Sequence, residues 1–389
     1  MGKMKNKGIK PDAPAGEALP DPESATDATL REPKLFLVHG EIHSANLGQT
    51  LALAVVLHAE NWDVHIVCRD ACPLADAASG LHLPVHTLAD DAGVGFFAAW
   101  RLVRLARKSG LRSRETGLLH ACDPTASYLV ARAWRLSRKL RIVHTRRMPV
   151  MEVARKSARC YQVPAAEIIT DSLAGKIALR LSGLEPHLLH TIACGFDPSS
   201  QPPRRERHDG RVVFAVTGDL LPQSGHSLLF DALALLGKDP SLPPWEMRIL
   251  GSGPHLQTLL EEARAKDVLE RIAFLGGSDV ANQLPQCDVL VLPSGEGESH
   301  MPLILQGWAA RLPIVAVNRL DHAENFQEEA NCLLAQPGDA AGLAAQMARL
   351  AKDRELYTHL VSGGVASLAK FPLKNMVREY KRLYRQALA

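Results

Sequence analysis

Short apolar runs alternate with longer stretches of helical periodicity from residue 34 to the end of the chain. In the first half the apolar runs occupy residues 35–39, 64–68, 118–122, 141–145, 167–171 and 189–193. In the second half they occupy residues 211–216, 246–250, 271–275, 288–292 and 313–317. Short apolar runs between helices are typical of parallel strands that are covered on both faces. The pattern therefore predicts the α/β class, with two doubly wound, Rossmann-like domains.

A polar segment separates the two halves of this pattern. Residues 199–210 read SSQPPRRERHDG, which interrupts the alternation, and we interpret them as a linker. Residues 1–33, rich in Pro, Ala, Gly and acidic residues without periodicity, are expected to be a disordered tail. We place an N-terminal domain at 34–198, a C-terminal domain at 211–370, and a terminal helix at 371–389 that crosses back to the N-terminal domain. Two such domains bind ligands in the cleft between them, at the carboxyl ends of their strands.

Composition and hydropathy argue against several classes of protein. The chain is 46% hydrophobic and 22% charged, as in an ordinary globular protein. No apolar stretch is long enough to span a membrane, and the first residues lack the apolar core of a secretory signal. Seven cysteines are an odd number in apolar surroundings, which favours reduced thiols and a cytoplasmic location. Because Cys68 and Cys72 have no second ligand pair at metal spacing, we expect no metal site.

Basic residues are concentrated between residues 90 and 165, where sixteen Lys and Arg stand against five Asp and Glu. Within this region, Phe96–Lys108 is predicted to be a helix with basic residues on one face and apolar bulk beside them. The basic residues are Arg101, Arg104 and Lys108, and the apolar ones are Phe96, Phe97, Trp100 and Val103. Such a helix is typical of contact with an anionic membrane surface, and equally of a solvated helix with a core-facing stripe. No nucleic acid is expected as a partner, because no aromatic interleaving or binding motif accompanies the charge.

Two standard nucleotide-binding loops are absent from the sequence. After the first strand, glycines occur only at Gly40 and Gly48, so the G-x-G-x-x-G fingerprint of dinucleotide-binding domains is missing. A P-loop of the form G-x4-G-K-[ST] is missing as well. No D-x-D pair follows a strand. A site for a nucleotide-diphosphate compound is therefore expected to be independent of a metal ion.

Four segments of the second half carry a resemblance to a known family. They are GDLLPQSGH (218–226), RILGSGPHLQTL (248–259), RIAFLGG (271–277) and CDVLVLPSGEGESHMPLILQGWAARLPIVAV (287–317). In order and spacing, about residues 34–389 resemble the family 4 (group 1) glycosyltransferases. The resemblance implies the GT-B fold, in which two Rossmann-like domains face each other across a cleft, and retaining transfer of a sugar from a nucleotide-diphosphate donor. It implies no cofactor, because the nucleotide-sugar is a substrate.

The resemblance implies a donor site in the C-terminal domain. Glu298 matches the first Glu of the family's E-x7-E pair, which contacts the donor sugar, and Gln306 stands at the second position. Asp219 and Ser224 stand where the family has the Arg and Lys that hold the diphosphate. The remaining donor-site candidates are Gly253, Pro254, Gly276, Ser299, His300 and Met301, with Gly48 from the N-terminal domain. Each missing cation is expected to remove about 2.7–4 kcal/mol of stabilisation from the departing diphosphate.

In the N-terminal domain, the expected acceptor side, the resemblance points to His120 as a second catalytic candidate. It matches the first His of an H-x-H pattern whose second position is Cys122. Three further residues end a predicted strand and are interpreted as ligands of the donor diphosphate, as ligands of an acceptor phosphate, or as part of the basic surface. They are His144, Arg146 and Arg147.

Two functions from different classes remain open. The first is a retaining, metal-independent glycosyltransferase with a cell-envelope or lipid-linked glycan as acceptor, in the cytoplasm or peripheral on the inner face of the plasma membrane. The second is a catalytically degenerate GT-B-like protein that acts as a binding or scaffolding subunit. It is motivated by the changes at Asp219, Ser224, Gln306 and Cys122. A nucleotide-sugar epimerase of similar fold is less favoured because its motifs are not evident.

Overall fold

The computed structural model describes residues 34–389, except for 43–45, 71, 90–94, 110–116, 148–159, 162, 164–165, 203, 205–209, 278–279, 295–299 and 320–322. The predicted tail at 1–33 and half of the predicted linker at 199–210 lie outside the described residues. The domain boundaries given above therefore stay predictions.

Among the described residues, seven parallel strands form a sheet in the first half of the chain. They are β1 (Leu35–Val38), β2 (Val64–Arg69), β3 (Val85–Leu88), β4 (Gly117–Ala121), β5 (Leu140–Thr145), β6 (Ala166–Thr170) and β7 (Leu189–Thr191). The helices between them are α1 (Leu47–Ala59), α2 (Pro73–Gly80), α3 (Phe96–Lys108), α4 (Pro124–Leu136) and α5 (Leu173–Leu181). The strand order is β3-β2-β1-β4-β5-β6-β7. Because neighbouring strands are parallel, the chain must cross over a face of the sheet between them, and helices make most of these crossings.

In the second half, the described chain forms a sheet of six parallel strands. They are β8 (Val212–Thr217), β9 (Trp245–Leu250), β10 (Ile272–Phe274), β11 (Val289–Leu292), β12 (Ile314–Val317) and β13 (Leu333–Ala335). The described helices here are α6 (His226–Leu236), α7 (Leu256–Ala265), α8 (Val280–Gln283), α9 (Met301–Ala309), α10 (Ala340–Lys352), α11 (Arg354–Leu368) and α12 (Leu373–Leu388). The strand order is β10-β9-β8-β11-β12-β13. The predicted fold class, two doubly wound Rossmann-like sheets, is confirmed.

Each sheet reverses its strand order once, between β1 and β4 in the first half and between β8 and β11 in the second. At such a point the connections leave the carboxyl ends of two neighbouring strands in opposite directions and open a crevice between them. The segments that follow β1, β4, β8 and β11 are therefore where a ligand site is expected.

Alternating strand residues pack into two separate cores in the first half. Phe36 and Val38 of β1 lie in one hydrophobic cluster with residues of α3 and α4. Leu35 and Leu37 lie in another, with residues of α1 and α12. All four side chains are fully buried. The period of two along a strand thus explains why both faces of the sheet carry helices.

The terminal helix α12 packs on the sheet of the first half. Its buried residues are Met376, Val377, Tyr380, Leu383 and Tyr384. They share a cluster with β1 and α1. The helix is anchored where it begins, because the Leu373 N–H donates to the Phe196 carbonyl at 3.0 Å. The last residues of the chain therefore complete the core that its first described residues begin.

Helix α3 turns aromatic side chains towards solvent. Its buried residues are Ala98, Ala99, Leu102, Val103 and Ala106. Phe96, Phe97 and Trp100 are 61%, 76% and 46% exposed. Val103, which the sequence grouped with these aromatic residues, belongs to the core instead. No described helix combines the length and hydropathy needed to cross a membrane.

Candidate functional site

Two glycine-containing loops interlock at the carboxyl edge of the second sheet. The β8 loop, residues 218–225, follows β8, and the β9 loop, residues 251–255, follows β9. A Cβ at Gly251 would overlap a carbonyl oxygen of the β8 loop. A Cβ at Gly253 would lie 2.6 Å from the Leu220 carbonyl oxygen. The two loops therefore touch through their backbones at positions that only glycine allows.

The β8 loop also packs on the end of β11. Gly225 adopts a left-handed backbone with φ 77°, and a Cβ there would lie 2.6 Å from the Pro293 carbonyl oxygen. The Ser294 hydroxyl donates to the Gln223 carbonyl at 2.7 Å. Pro293 and Ser294, the described residues at the start of the β11 loop (293–300), thus contact the β8 loop at the point where the strand order reverses. Backbone contacts fix this edge of the sheet.

The predicted donor-site residues of the second half lie at four places in the structure, while Gly48 lies in the first turn of α1. Asp219 and Ser224 lie in the β8 loop, where the Ser224 hydroxyl donates to the Asp219 carbonyl at 2.6 Å. Gly253 and Pro254 lie in the β9 loop, which contacts it, while Gly276 follows β10 with φ 73°. His300 and Met301 begin α9, and Gln306 is half-buried farther along that helix. Glu298 and Ser299 lie outside the described residues.

Polar groups that the sequence did not indicate lie beside the β8 loop. Among the described residues, Thr217 Oγ1 and His226 Nδ1 are buried without a hydrogen-bond partner. Burial lowers the pKa of His226 to about 4, so its ring is neutral at neutral pH. The β8, β9 and β11 loops contain no Lys or Arg. Arg319, a buried cation, follows β12 at the same edge of the sheet.

Asp123 links the ends of β1 and β4 at the reversal point of the first sheet. Its Oδ2 accepts from the Gly40 N–H at 2.7 Å, and its Oδ1 accepts from the Ala126 N–H at 2.7 Å, which caps α4. His39 Nδ1 lies 3.2 Å from Oδ2. Burial alone would raise the pKa of Asp123, but the nearby His39 and the hydrogen bonds from the backbone hold it below its usual value. Asp123 is therefore a buried carboxylate.

His39 is the cation that faces this carboxylate. Its Nε2 lies 2.7 Å from the hydroxyl of Thr50 on α1. Burial alone would lower the pKa of His39, but Cys122 and Asp123 raise it to about 10. His39 and Asp123 therefore form a buried ion pair. Sequence reasoning missed this pair, although an Asp-Pro step directly after a strand is a signal for a helix cap.

Glu41 adds a second carboxyl beside the ion pair. Its backbone N–H donates to Asp123 Oδ2 at 3.3 Å, and its Oε1 accepts from the Thr125 hydroxyl at 3.1 Å. Burial, followed by the charge of Asp123, raises the pKa of Glu41. The Glu41 carboxyl therefore lies at the edge of the first sheet and is hydrogen-bonded to the first turn of α4. In this position it can form a hydrogen bond with a ligand hydroxyl.

His120 is engaged in a hydrogen-bond network under the terminal helix. Its Nε2 lies 2.7 Å from the Thr145 hydroxyl, and its Nδ1 lies 2.7 Å from the Tyr384 hydroxyl. Burial, together with the charge of Arg147, lowers the pKa of His120 well below its usual value. The catalytic role of His120 stays a prediction, but both ring nitrogens already have partners on β5 and α12.

The three candidates at the end of β5 do not form one cluster. His144 packs edge-on against Tyr161 with ring centroids 5.0 Å apart, and Arg146 donates to the Tyr161 hydroxyl at 3.2 Å. Burial lowers the pKa of His144 to about 3, and among the described residues neither of its ring nitrogens has a partner. Arg147 points to the opposite face of the sheet, towards α1 and α12.

A carboxylate of the second half meets a helix of the first half. Glu324 accepts from the N–H of Leu173, the first residue of α5, with its two oxygens at 3.1 and 3.3 Å. Ser172 caps the same helix through the Gly175 N–H at 3.1 Å. Negative charge is favourable at a helix N-terminus. This contact ties the two halves together beside the carboxyl edges of their sheets.

Within the described ranges, no three His, Cys, Asp or Glu side chains are grouped closely enough to hold a metal ion. The seven cysteines are buried thiols without disulfides.

Comparison with known sequences finds a family match in the second half. Residues 211–353 match the family described as Glycosyl transferases group 1. An exopolysaccharide phosphotransferase of Streptomyces coelicolor is 26% identical over 219 residues, which are 55% of this chain and 22% of that protein. A lipopolysaccharide core biosynthesis glycosyltransferase of Rhizobium meliloti is 30% identical over 164 residues, which are 41% of this chain and 45% of that protein. The chain therefore spans less than half the length of either relative.

Comparison with solved structures covers nearly the whole described chain. The crystal structure of HepE from Anabaena, in complex with UDP and glucose, superposes with a TM-score of 0.77 over 91% of this chain and 100% of that one. The two sequences are 16% identical. A likeness at this identity shows the fold, and it confirms the predicted GT-B arrangement.

Proposed function

We propose that this chain, whose residues 211–353 match the group 1 glycosyl transferases, moves a sugar from a nucleotide-diphosphate donor to a glycan acceptor. The observation that carries the proposal is this family match, which covers the interlocked β8 and β9 loops and the residues after β11 at the reversal point of the second sheet. The relatives named for exopolysaccharide and lipopolysaccharide core chemistry favour a cell-envelope or lipid-linked glycan as acceptor.

In the proposed complex the donor lies against the β8, β9 and β11 loops. Glu298 contacts the donor sugar and Gln306 accepts a hydrogen bond from the ribose. Helix α9 begins at Met301 with Pro302 in its first turn, so its N-terminal partial charge favours a diphosphate nearby without a metal ion.

Transfer with retention then proceeds on the face of the sugar from which the diphosphate leaves. The acceptor oxygen forms the new glycosidic bond as the bond between the sugar and the diphosphate breaks. An oxygen of the leaving diphosphate takes the proton of the acceptor hydroxyl. The chain contributes positioning and electrostatic stabilisation rather than a nucleophile.

Calorimetric titration of the full chain with UDP, GDP and ADP, each with and without magnesium, tests the donor site. Micromolar binding of one nucleotide, independent of magnesium, is the expected result and identifies the donor class. Gly253→Ala should weaken this binding, because its Cβ would press on the Leu220 carbonyl oxygen at 2.6 Å. Gly80→Ala is the matched control, since a Cβ there meets nothing within 4 Å. No binding of any nucleotide at millimolar concentration contradicts the transferase.

The charge of the β8 loop favours a second candidate, a degenerate binding or scaffolding subunit. Asp219 and Ser224 stand where the resemblance expects cations, and Gln306 where it expects a carboxylate. The double variant Asp219→Arg with Ser224→Lys distinguishes the two candidates. A large gain in nucleotide binding indicates a site that has lost its cations. Unchanged, tight binding indicates that positive charge comes from elsewhere in the chain.

We also propose that α3 rests on an anionic membrane surface. Phe96, Phe97 and Trp100 are exposed at its N-terminal end, and four basic residues are exposed along the rest of the helix. These are Arg101, Arg104, Arg107 and Lys108. Exposed aromatic side chains next to basic ones complement the apolar and anionic layers of a lipid surface.

Co-sedimentation with vesicles of phosphatidylcholine alone, and of phosphatidylcholine with phosphatidylglycerol, tests this contact. Wild type should bind only the anionic vesicles, and Phe96→Ser with Phe97→Ser should abolish binding. Leu181→Ser is the control, because Leu181 is 82% exposed on another helix. Equal binding of the two vesicle types, or binding that survives the double substitution, contradicts the proposal. If the double substitution abolishes binding to a protein partner but leaves vesicle binding unchanged, the surface belongs to that partner.

A further inference from the structure

Arg147 is a buried cation whose hydrogen-bond partners are neutral. The residue is 5% exposed, and its guanidinium donates to Asn46 Oδ1 at 3.0 Å and to the Tyr380 hydroxyl at 3.2 Å. The Tyr380 phenol stays neutral because burial raises its pKa. Burial alone would lower the pKa of Arg147, and the charge of Asp171 is among the influences that raise it. Among the described residues, Asp171 makes no direct ion pair with the guanidinium, whose Nε has no hydrogen-bond partner. Because the hydrogen bonds of this buried cation go to neutral groups, a directly bound anion would stabilise it further.

The first turn of α1 lies beside this guanidinium. Asn46 is the N-cap residue of α1, but its side chain caps no N–H of the helix, and its Oδ1 accepts from Arg147 instead. The first turn contains no acidic residue. A Cβ at Gly48 would meet no atom within 4 Å, so open space adjoins the turn. The N-terminus of this thirteen-residue helix carries about half a positive charge.

The two positive groups lie at one edge of the first sheet. Arg147 follows β5 and α1 follows β1, and the carboxyl ends of parallel strands meet at the same edge. The β8, β9 and β11 loops of the second half contain no Lys or Arg, and Asp219 adds a negative charge there. Arg319, after β12, is a buried cation of the second half, and Arg147 is a counterpart at the edge of the first sheet.

We propose that Arg147 and the first turn of α1 form a phosphate-binding site, which supplies the cationic contact that Asp219 and Ser224 do not. The ligand is a phosphate group, carried either by the donor diphosphate or by the acceptor. Asn46 and Tyr380 position the guanidinium, and the anion neutralises it. This inference rests on the proposed function, because it names where the donor or acceptor of that reaction is held.

Titration with UDP, GDP and ADP and with the matching nucleosides tests the site. Arg147→Met should lower nucleoside diphosphate affinity about tenfold or more and leave nucleoside affinity unchanged. Asn46→Asp should have the same effect, because its carboxylate pairs with Arg147 and takes the place of the phosphate. Arg135→Met, which removes an exposed cation on α4, is the control and should change neither affinity.

Asn46→Asp also separates a binding role from a structural one. A structural Arg147 predicts that Asn46→Asp raises the melting temperature and leaves phosphate binding unchanged, and this result overturns the inference. If Arg147→Met does not fold, Asn46→Asp decides alone, since it preserves the shape of the side chain. Loss of diphosphate binding in Arg319→Met but not in Arg147→Met places the cation in the second half and also overturns the inference.

Competition between inorganic phosphate and a nucleoside diphosphate shows whether the site holds a phosphate of the donor or of the acceptor. Its binding to wild type should be lost in Arg147→Met. If a saturating nucleoside diphosphate displaces it, the site holds the donor, and if both bind together, the site holds the acceptor. Wild type that binds neither a nucleoside diphosphate nor inorganic phosphate defeats both the inference and the proposed function. Nucleotide binding that is equal in all variants, with phosphate binding also unchanged, defeats the inference alone.

Discussion

Replacing Asp123 by Asn removes the negative member of the buried pair at the reversal point of the first sheet. The carboxylate accepts from the Gly40 and Ala126 N–H groups, both at 2.7 Å, and faces His39 Nδ1 at 3.2 Å. Breaking a buried ion pair by removing one partner costs about 3–5 kcal/mol. We expect Asp123→Asn to lower the free energy of unfolding by about this amount near pH 6, since Asn cannot accept at both oxygen positions.

The size of the loss should depend on pH in a defined direction. His39 has a pKa of about 10 in the folded chain and an ordinary value of 6.5. Its stabilising contribution is therefore fully present below about pH 6.5 and is lost as the pH rises through about 10. The pKa of Asp123 is lowered by folding, so its contribution is present above its ordinary value of 3.8 and is lost as the pH falls through the lower, folded pKa. Above about pH 10, only the lost backbone hydrogen bonds should remain, worth about 1–3 kcal/mol.

Urea unfolding of wild type and Asp123→Asn at about pH 6 and about pH 10.5 measures the difference. Asp353→Asn is the matched control, because Asp353 caps α11 through the Leu356 N–H at 2.9 Å without a histidine partner. Since Asn caps about as well as Asp, this control should change stability little and equally at both pH values. A loss in Asp123→Asn that is the same at both pH values would refute a protonated His39 in the folded protein.

Three further predictions concern the loops and the terminal helix. Gly251→Ala should destabilise the fold by about 1–3 kcal/mol or more, because its Cβ overlaps the β8 loop, and Gly80→Ala, at an open position, is the control in urea unfolding. Tyr384→Phe leaves His120 Nδ1 without its hydroxyl partner at 2.7 Å and should cost about 1–3 kcal/mol in thermal or urea unfolding. Nucleotide binding should be unchanged, and its loss would contradict a purely structural contact. Leu383→Ala truncates a side chain on the buried face of α12 that is 3% exposed, and it should lower the free energy of unfolding by about 2–5 kcal/mol. Leu181→Ala, at an exposed position, should change it by no more than about 0.5 kcal/mol.

The alternation of apolar runs was sufficient to predict the class of fold, and its failures have local causes. Strand β3 was missed because its sequence, VHTL, carries two polar residues and three of its four positions are partly or fully exposed. Strand β13 was missed because its apolar run, residues 332–335, is shorter than the five- and six-residue runs that predicted other strands. Both are edge strands, each hydrogen-bonded to one neighbouring strand only.

The candidate site was predictable only where its residues follow one another along the chain. The β8 and β9 loops could be identified because their glycines and turns are contiguous segments. The pair of His39 and Asp123 could not be identified, because its members come together only where β1 and β4 are neighbours. Gly40, next to His39, is 83 positions from Asp123 along the chain. No local pattern states which two strands will be neighbours at the reversal point.

The end of β5 shows where strand geometry and distant contacts each decide the outcome. Side chains alternate along a strand, so His144 and Arg146 lie on one face of the sheet and Arg147 lies on the other. This division can be predicted from the sequence alone. The sequence does not predict which distant side chains contact each face. Tyr380 reaches Arg147 from 233 positions away, and Tyr384 reaches His120 from 264. Because both tyrosines belong to α12, the terminal helix sets the position of the buried cation and of the neutral histidine together. A change in how α12 docks should therefore alter phosphate binding and the stability of the first sheet in the same variant.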